Sequence, residues 1–324
     1  MPPRITFIVL AYNQRPYLRE SVLSCFAQQG EPIEILLSDD GSSDGSFELM
    51  KELASRYEGP HRVRVRRNER NLGIGEHYNR AIADSTGRLL VTAAGDDISL
   101  PTRAQALAQA WDATARQADL IASHVLDMTE QGVDVGLTRV ADLALWKKPE
   151  DWVRKRPYVI GASHAFTKRL HEHFGPFGEK LAYEDQVMAL RACCLGGGIT
   201  VDQPLVRYRR GGISHKANAA QTPRGFVEWS QKKHLRQQAL YRQIEQDLLR
   251  AGRPDLWRGK VRRQLQRSEL ALAMIAAPDG RQRLALARQA WGAGWFWTWR
   301  CWLYFSHPAW AVAVQRLQAR LKGR

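Results

Sequence analysis

Through the first two thirds of the chain, apolar runs alternate with helical spacings, punctuated by glycine and aspartate. Ile5-Thr-Phe-Ile-Val-Leu-Ala11 is apolar almost throughout, as a strand covered on both faces should be. Tyr17 to Gln29 then places Leu18, Val22, Leu23 and Phe26 at helical intervals. The same alternation predicts strands at 33–37, 63–66, 89–94 and 119–128, with helices at 47–57, 74–83 and 103–114 between them. Such an order defines βαβ units and an α/β fold with a mostly parallel sheet flanked by helices. Further on, Thr129 to Gly132 reads as a turn and 146–157 as irregular. Tyr158 to His164 reads as a strand leading to a glycine turn, and Val187 to Cys194 as an apolar helix.

After about Arg224 the pattern becomes helical and cationic, with helices expected at 226–249 and 256–276. Two regions follow, a catalytic α/β region at 1–220 and a basic helical extension at 221–324. The contents of 44% hydrophobic and 25% charged residues are ordinary for a globular chain. The net charge of +15 is not evenly placed, since the stretch from Arg224 onward holds 20 Lys and Arg against 6 Asp and Glu. The basic character belongs to the extension and explains nothing about the first region. Residues 290–305 carry five of the 11 tryptophans, with Trp310 beyond, but Arg300, His307 and Pro308 interrupt any run of ~20 apolar residues. Trp and Tyr beside Arg-rich helices fit a segment lying on an anionic membrane surface. Packing as a helical cap or a dimer face is the alternative. No RNA or DNA module signature appears, so no nucleic-acid partner is expected. Four cysteines without framework spacing suit a reducing compartment. The opening residues lack a signal-peptide pattern, so the expected location is cytoplasmic, peripheral on the inner face of the cytoplasmic membrane.

The candidate chemistry is positional. Tyr12, Asp40 and the doublet Asp96-Asp97 each follow the carboxyl end of an expected strand, where open α/β sheets place their ligands. Tyr12 could stack on a base, and Asp40 could accept a hydrogen bond from an imide N–H. The adjacent carboxylates of the doublet repel unless solvated or neutralised, and a hard divalent ion with phosphate oxygens would satisfy them. Together these points describe a nucleotide-diphosphate site. Two lookalikes fail. Asp40-x-Ser42-x-Asp44-Gly45 opens like a calcium loop, but its twelfth position is Lys51. Gly73-Ile-Gly-Glu-His-Tyr78 imitates a dinucleotide fingerprint, but it lies too far past its strand.

The residues Ile5 to Asn13, Leu36-Leu-Ser-Asp-Asp-Gly-Ser-Ser-Asp-Gly45, Asn71-Leu-Gly-Ile-Gly75 with Asn79, and Ala94-Gly-Asp-Asp97 resemble the inverting family-2 glycosyltransferases of GT-A fold. The resemblance covers about residues 4–215. It implies a nucleotide-diphospho-sugar donor contacted by Ala11, Tyr12, Asn13, Asp39, Asp40, Asn71, Gly73, Asn79, Asp96 and Gly161. UDP-sugars are favoured, because Asp40 suits an imide base. A divalent metal, Mn or Mg, would be held by Asp97 and Asp96 with His215. Glu184-Asp185 matches the family's general-base motif, with Asp185 as the base and Glu184 orienting the acceptor or supporting the loop. Arg209 and Arg210 could approach the diphosphate. The acceptor implied is a hydroxyl of a cell-envelope or lipid-linked glycan. The family's usual Asp-x-Asp is changed here, with Gly95 in its first place. A sugar nucleotidyltransferase is disfavoured because no Gly-rich basic phosphate loop follows the first strand. A catalytically inactive glycan- or membrane-binding relative is the non-enzyme alternative.

Overall fold

In a computed structural model, residues 4–211 and 222–321 are described. They form two compact units that divide between His215 and Lys216. The first unit runs β1 (Ile5–Ala11), α1 (Arg15–Phe26), β2 (Glu34–Asp39), α2 (Ser46–Ser55), β3 (Arg62–Arg67), α3 (Ile74–Asp84), β4 (Leu89–Ala94), β5 (Ile98–Ser99) and α4 (Arg103–Ala113). It continues with β6 (Leu120–Met128), β7 (Asp134–Thr138), α5 (Pro149–Arg154), β8 (Ala165–Thr167), α6 (Lys168–Phe174), α7 (Glu184–Cys194) and β9 (Gly198–Arg209).

The strands form one sheet in the order β3-β2-β1-β4-β8-β6-β9-β5, with β7 on β6. The half containing β3, β2, β1 and β4 is parallel throughout, as the βαβ pattern requires. Beyond β4 the sheet is mixed. Strand β8 runs antiparallel to both β4 and β6, and β7 and β5 add further antiparallel pairs, while β6 and β9 pair in parallel, so the sheet is mixed with its longest pairings parallel. Short β8 and two-residue β5 carry too few residues to show a period, which is why neither was foreseen. Every residue of β1 and β2 is buried. The main core packs β1, β2 and β4 against α1, α2 and α4 through Phe7, Val9, Leu18, Ile35, Leu37, Val91 and Leu107. Edge strand β3 alternates arginine with valine, and a charged edge discourages pairing with another chain.

Two local expectations fail. The stretch 158–164 is a loop ending in a single 3₁₀ turn, Gly161–Ser163, and the strand begins only at Ala165. Within 146–157, Pro149 opens the short helix α5, whose first turn carries Glu150 and Asp151.

The second unit is helical: α8 (Pro223–Arg250), α9 (Pro254–Trp257), α10 (Lys260–Ala276), α11 (Gly280–Gln289), α12 (Trp295–Ser306) and α13 (Pro308–Leu321). The single helix expected over 256–276 is broken at Gly259, whose φ of 78° no regular helix accommodates. Its core contains Phe226, Ala271, Met274, Cys301, Phe305 and Val312. Among the described residues no helix is long and apolar enough to cross a membrane. Cys25, Cys193 and Cys301 are buried free thiols, as small core residues should be.

Candidate active site

The carboxyl ends of β1 and β2 are stitched together by short-range hydrogen bonds. The Asp40 N–H donates to the Ala11 carbonyl at 2.9 Å. Asn13 takes a left-handed backbone, with φ of 51°. Its N–H donates to Ser42 Oγ at 2.9 Å, and its side-chain carbonyl accepts from the Ser43 N–H at 2.9 Å. Ala11 and Asn13 thereby fix the loop on which Tyr12 stands 40% exposed.

The two carboxylates after β2 divide their roles. Asp39 is fully buried. One of its oxygens accepts from the Ser42 N–H at 2.9 Å with Arg67 Nε 3.5 Å away, and the other has no partner. Asp40 reaches the next loop. Its Oδ1 accepts from Asn68 Nδ2 at 2.7 Å and the Leu72 N–H at 3.0 Å, and its Oδ2 from the Gly73 N–H at 3.1 Å. Asn71 Oδ1 shares that last donor at 3.0 Å. Two of the four lone-pair positions of Asp40 therefore hold the 71–73 loop, a third holds Asn68, and one remains on Oδ2. Gly41 makes this approach possible, since a Cβ there would lie 2.5 Å from the Arg70 backbone. Around Gly73, by contrast, there is open space.

At the end of β4, the Gly95 N–H donates to the Leu10 carbonyl at 2.9 Å, which brings the doublet beside the β1 loop. A Cβ at position 95 would sit 2.7 Å from Gln14 Oε1 and 2.8 Å from the Ala11 Cβ. Glycine in the first place of the motif follows from this contact, because no carboxylate fits between β4 and the first loop. Gly95→Ala should lower stability by about 1–3 kcal/mol through overpacking, measured by urea denaturation. Asp97 is buried, and its Oδ1 accepts from the Arg209 N–H at 2.8 Å while Oδ2 has no partner. Burial, and then the charge of Asp96, hold the Asp97 carboxyl well above the usual carboxylate range. An orphaned buried carboxylate oxygen beside a second carboxylate is the environment that a divalent cation would relieve. Among the described residues no cluster of three or more His, Cys, Asp or Glu forms a closed metal cage. His215, the expected third ligand, lies outside the described residues.

The arginines correct the expectation of diphosphate contacts. The buried Arg209 guanidinium donates to the Asp96 carbonyl at 2.9 Å, to Glu20 at 2.9 Å and to the Glu130 carbonyl, and it lies over the Tyr17 ring. Arg210 pairs with Asp127 at 2.9 Å. Both hold the sheet end in place.

The Glu184-Asp185 pair opens α7 and faces the 3₁₀ turn. Thr92 Oγ, on β4, donates to the Gly161 carbonyl at 3.1 Å, and a Cβ on Gly161 would lie 3.0 Å from Glu184 Oε1 and 3.6 Å from the Asp185 Cβ. Gly161 is thus where the chain passes tightly over the pair. Burial, then the neighbouring Asp185 charge, push Glu184 up to about 8, and burial pushes Asp185 up to about 6. The lower member is Asp185, whose Oδ1 accepts the Gln186 N–H at 2.7 Å. Burial thus raises both members, and the pair retains protons towards the neutral range. The ordinary values are 4.5 and 3.8, so between them and the raised ones the folded state keeps protons that the unfolded chain has released. The pair's contribution to stability therefore falls as pH rises from about 4 to 8. Urea midpoints across that range should decline less in Glu184→Gln than in the wild type.

The side chain of Asn79, expected on the donor, is engaged within the protein. Its amide donates to the Phe177 carbonyl at 2.9 Å and to Glu76 at 2.8 Å, and its carbonyl accepts the Phe177 N–H at 2.8 Å. It anchors the segment leading into α7 from below.

One residue escaped the sequence reading. Arg103 is completely buried, donating to Ser99 Oγ at 3.0 Å and to the carbonyls of Thr92 and Ala162 at 2.6 Å each, over the Phe7 ring at 5.4 Å. It ties the strand bearing the doublet to the loop bearing Gly161. Its charge acts on Asp97 and on Tyr78, and Tyr78 in turn feels Glu184 and Asp185. Arg103 thus lies between the two carboxylate groups, and burial lowers it to about 10. The available signal was a cation opening a helix whose stripe, Ala104, Leu107, Ala108 and Trp111, is buried.

Comparison with known proteins agrees with this geometry. Residues 6–132 match the model of Glycosyl transferase family 2. The chain is 31% identical over 101 residues to the putative glycosyltransferase EpsE of Bacillus subtilis, covering 31% of this chain and 36% of that protein. It is 30% identical over 115 residues to the succinoglycan biosynthesis protein ExoO of Rhizobium meliloti, covering 36% and 32%. The chain therefore spans about a third of the length of these curated relatives. Among solved structures, S. aureus TarS 1–349 in complex with UDP-GlcNAc superposes with a TM-score of 0.55 at 16% identity, over 89% of this chain and 85% of that one. Residues 6–132 thus carry the likeness to family-2 glycosyltransferases, and the similarity to TarS is one of fold.

Proposed function

We propose that the protein transfers a sugar from a nucleotide diphosphate, a UDP-sugar by preference, to a hydroxyl of a cell-envelope or lipid-linked glycan, with inversion at the anomeric carbon. The observation that carries this is continuity. The loops after β1 and β2 and the doublet after β4 are joined by hydrogen bonds of 2.9 Å. Thr92 of β4 bonds the Gly161 carbonyl at 3.1 Å, and Gly161 passes so close to the Glu184-Asp185 pair that an added Cβ would lie 3.0 Å from Glu184 Oε1. The similar proteins, S. aureus TarS in complex with UDP-GlcNAc and a succinoglycan biosynthesis protein, support the donor and acceptor classes.

In this reading Tyr12 stacks on the base, and Asp40 meets its imide while holding the 71–73 loop. Gly73 leaves space for the donor, with Asn71 beside it. Asp39 has the buried role of fixing the Ser42 turn. Asp97 and Asp96 would hold a divalent ion, Mn or Mg, which when bound neutralises charge developing on the leaving diphosphate. Asp185 takes the proton from the acceptor hydroxyl as that oxygen forms its bond to the anomeric carbon. The bond from that carbon to the diphosphate oxygen breaks with its electron pair. Glu184 orients the acceptor or the loop. Below about pH 6 the pair is protonated and turnover should fall.

A nucleotide-sugar screen by thermal stabilisation tests the reading, because ligands that bind only the folded state raise its apparent stability. A shift of several degrees with UDP-sugar plus manganese, larger than with GDP- or ADP-sugars, is expected. No shift with any nucleotide would overturn it.

A further inference from the structure

The second unit brings several cations near one another. Arg267 donates through Nε to the Ala293 carbonyl at 2.8 Å and lies over the Trp297 ring at 5.7 Å, holding the turn at Gly294 from which α12 starts. Arg263 and Arg300 are close enough for their charges to act on Arg267, and Arg300 acts likewise on Lys233. Lys233 in turn sits 5.0 Å from the half-exposed Trp229 ring. Among the described residues, no carboxylate forms an ion pair with Lys233, Arg263, Arg267 or Arg300. Four like charges held in one another's field raise the free energy of the unit until an outside anion approaches. Immediately after the turn braced by Arg267, Trp295 and Phe296 stand 77% and 72% exposed.

We infer that this face of the second unit, with cations Lys233, Arg263, Arg267 and Arg300 and apolar tips Trp295 and Phe296, docks on a bilayer of anionic lipid. Its charge balance of 20 basic against 6 acidic residues from Arg224 onward complements such a surface. A free phosphate would satisfy the cations but leave both rings in water. A bilayer answers both, since aromatic side chains lodge at the headgroup boundary while basic groups meet the negative surface. Docking is independent of the transferase reading, because no residue of the first unit takes part.

The test is flotation of the full chain with vesicles of phosphatidylcholine alone, or of phosphatidylcholine with about one third phosphatidylglycerol. Binding only to the anionic vesicles, released by about 0.5 M salt, is expected. Arg263→Gln/Arg267→Gln/Arg300→Gln should weaken it about a hundredfold, roughly fivefold per charge removed. Since Arg267 also braces a turn, Trp295→Ser/Phe296→Ser provides the second probe. That variant should lose vesicle binding and keep the wild-type thermal shift with UDP. Equal binding to neutral vesicles, unchanged binding of either variant, or full displacement from vesicles by tRNA would overturn the assignment. A missing UDP shift with vesicle binding intact would sink the donor site alone.

Discussion

Asp185→Asn should lower turnover of donor and acceptor by about 10²–10⁴, the usual contribution of general-base assistance, while leaving nucleotide affinity unchanged. The amide keeps the shape of the carboxylate and cannot take a proton. The surroundings explain why this position is suited to the task. Burial raises both carboxyls of the pair, Asp185 to about 6 and Glu184 to about 8, so the pair titrates close to working pH. A group tuned in this way is basic enough to accept a proton. Steady-state kinetics decide the matter, since the loss must fall on kcat and not on KM for the donor. A variant with wild-type kcat would move the base elsewhere.

Arg103→Met should destabilise the protein by about 3–5 kcal/mol, the range for removing one partner from a buried charged network. The apolar substitute leaves the Thr92 and Ala162 carbonyls without their donor and Asp97 with only Arg209 of the two arginine charges that act on it. Arg103→Lys keeps the charge but not the branched geometry, so it should recover part of the loss. Urea denaturation measures both, and a change below about 1 kcal/mol in Arg103→Met would show the network to be dispensable. Because Arg103 spans the doublet strand and the Gly161 loop, the surviving folded fraction should also bind donor more weakly.

The parallel half of the sheet was legible because each of its elements is long enough to display a period, and because βαβ order dictates what pairs with what. The mixed half was not. Ala165–Thr167 and Ile98–Ser99 are too short to carry one, and their partners lie far away in sequence. At the site, residues that end strands were recognisable, since position alone implied a ligand crevice. What a polar side chain is bonded to within the protein was not legible, because a motif does not show it. Asn79 anchors Phe177, and Arg209 is enclosed by Glu20 and two carbonyls. The glycine at position 95 reads as a missing carboxylate in the sequence. In the fold it is a packing requirement imposed by Gln14 and Ala11.

Titration calorimetry with a UDP-sugar, with and without manganese, tests the donor site most directly. The proposed arrangement predicts saturable binding that needs the metal, disappears in Asp97→Ala and persists in Asp185→Asn. Equal binding by all three proteins, or binding indifferent to manganese, would contradict it.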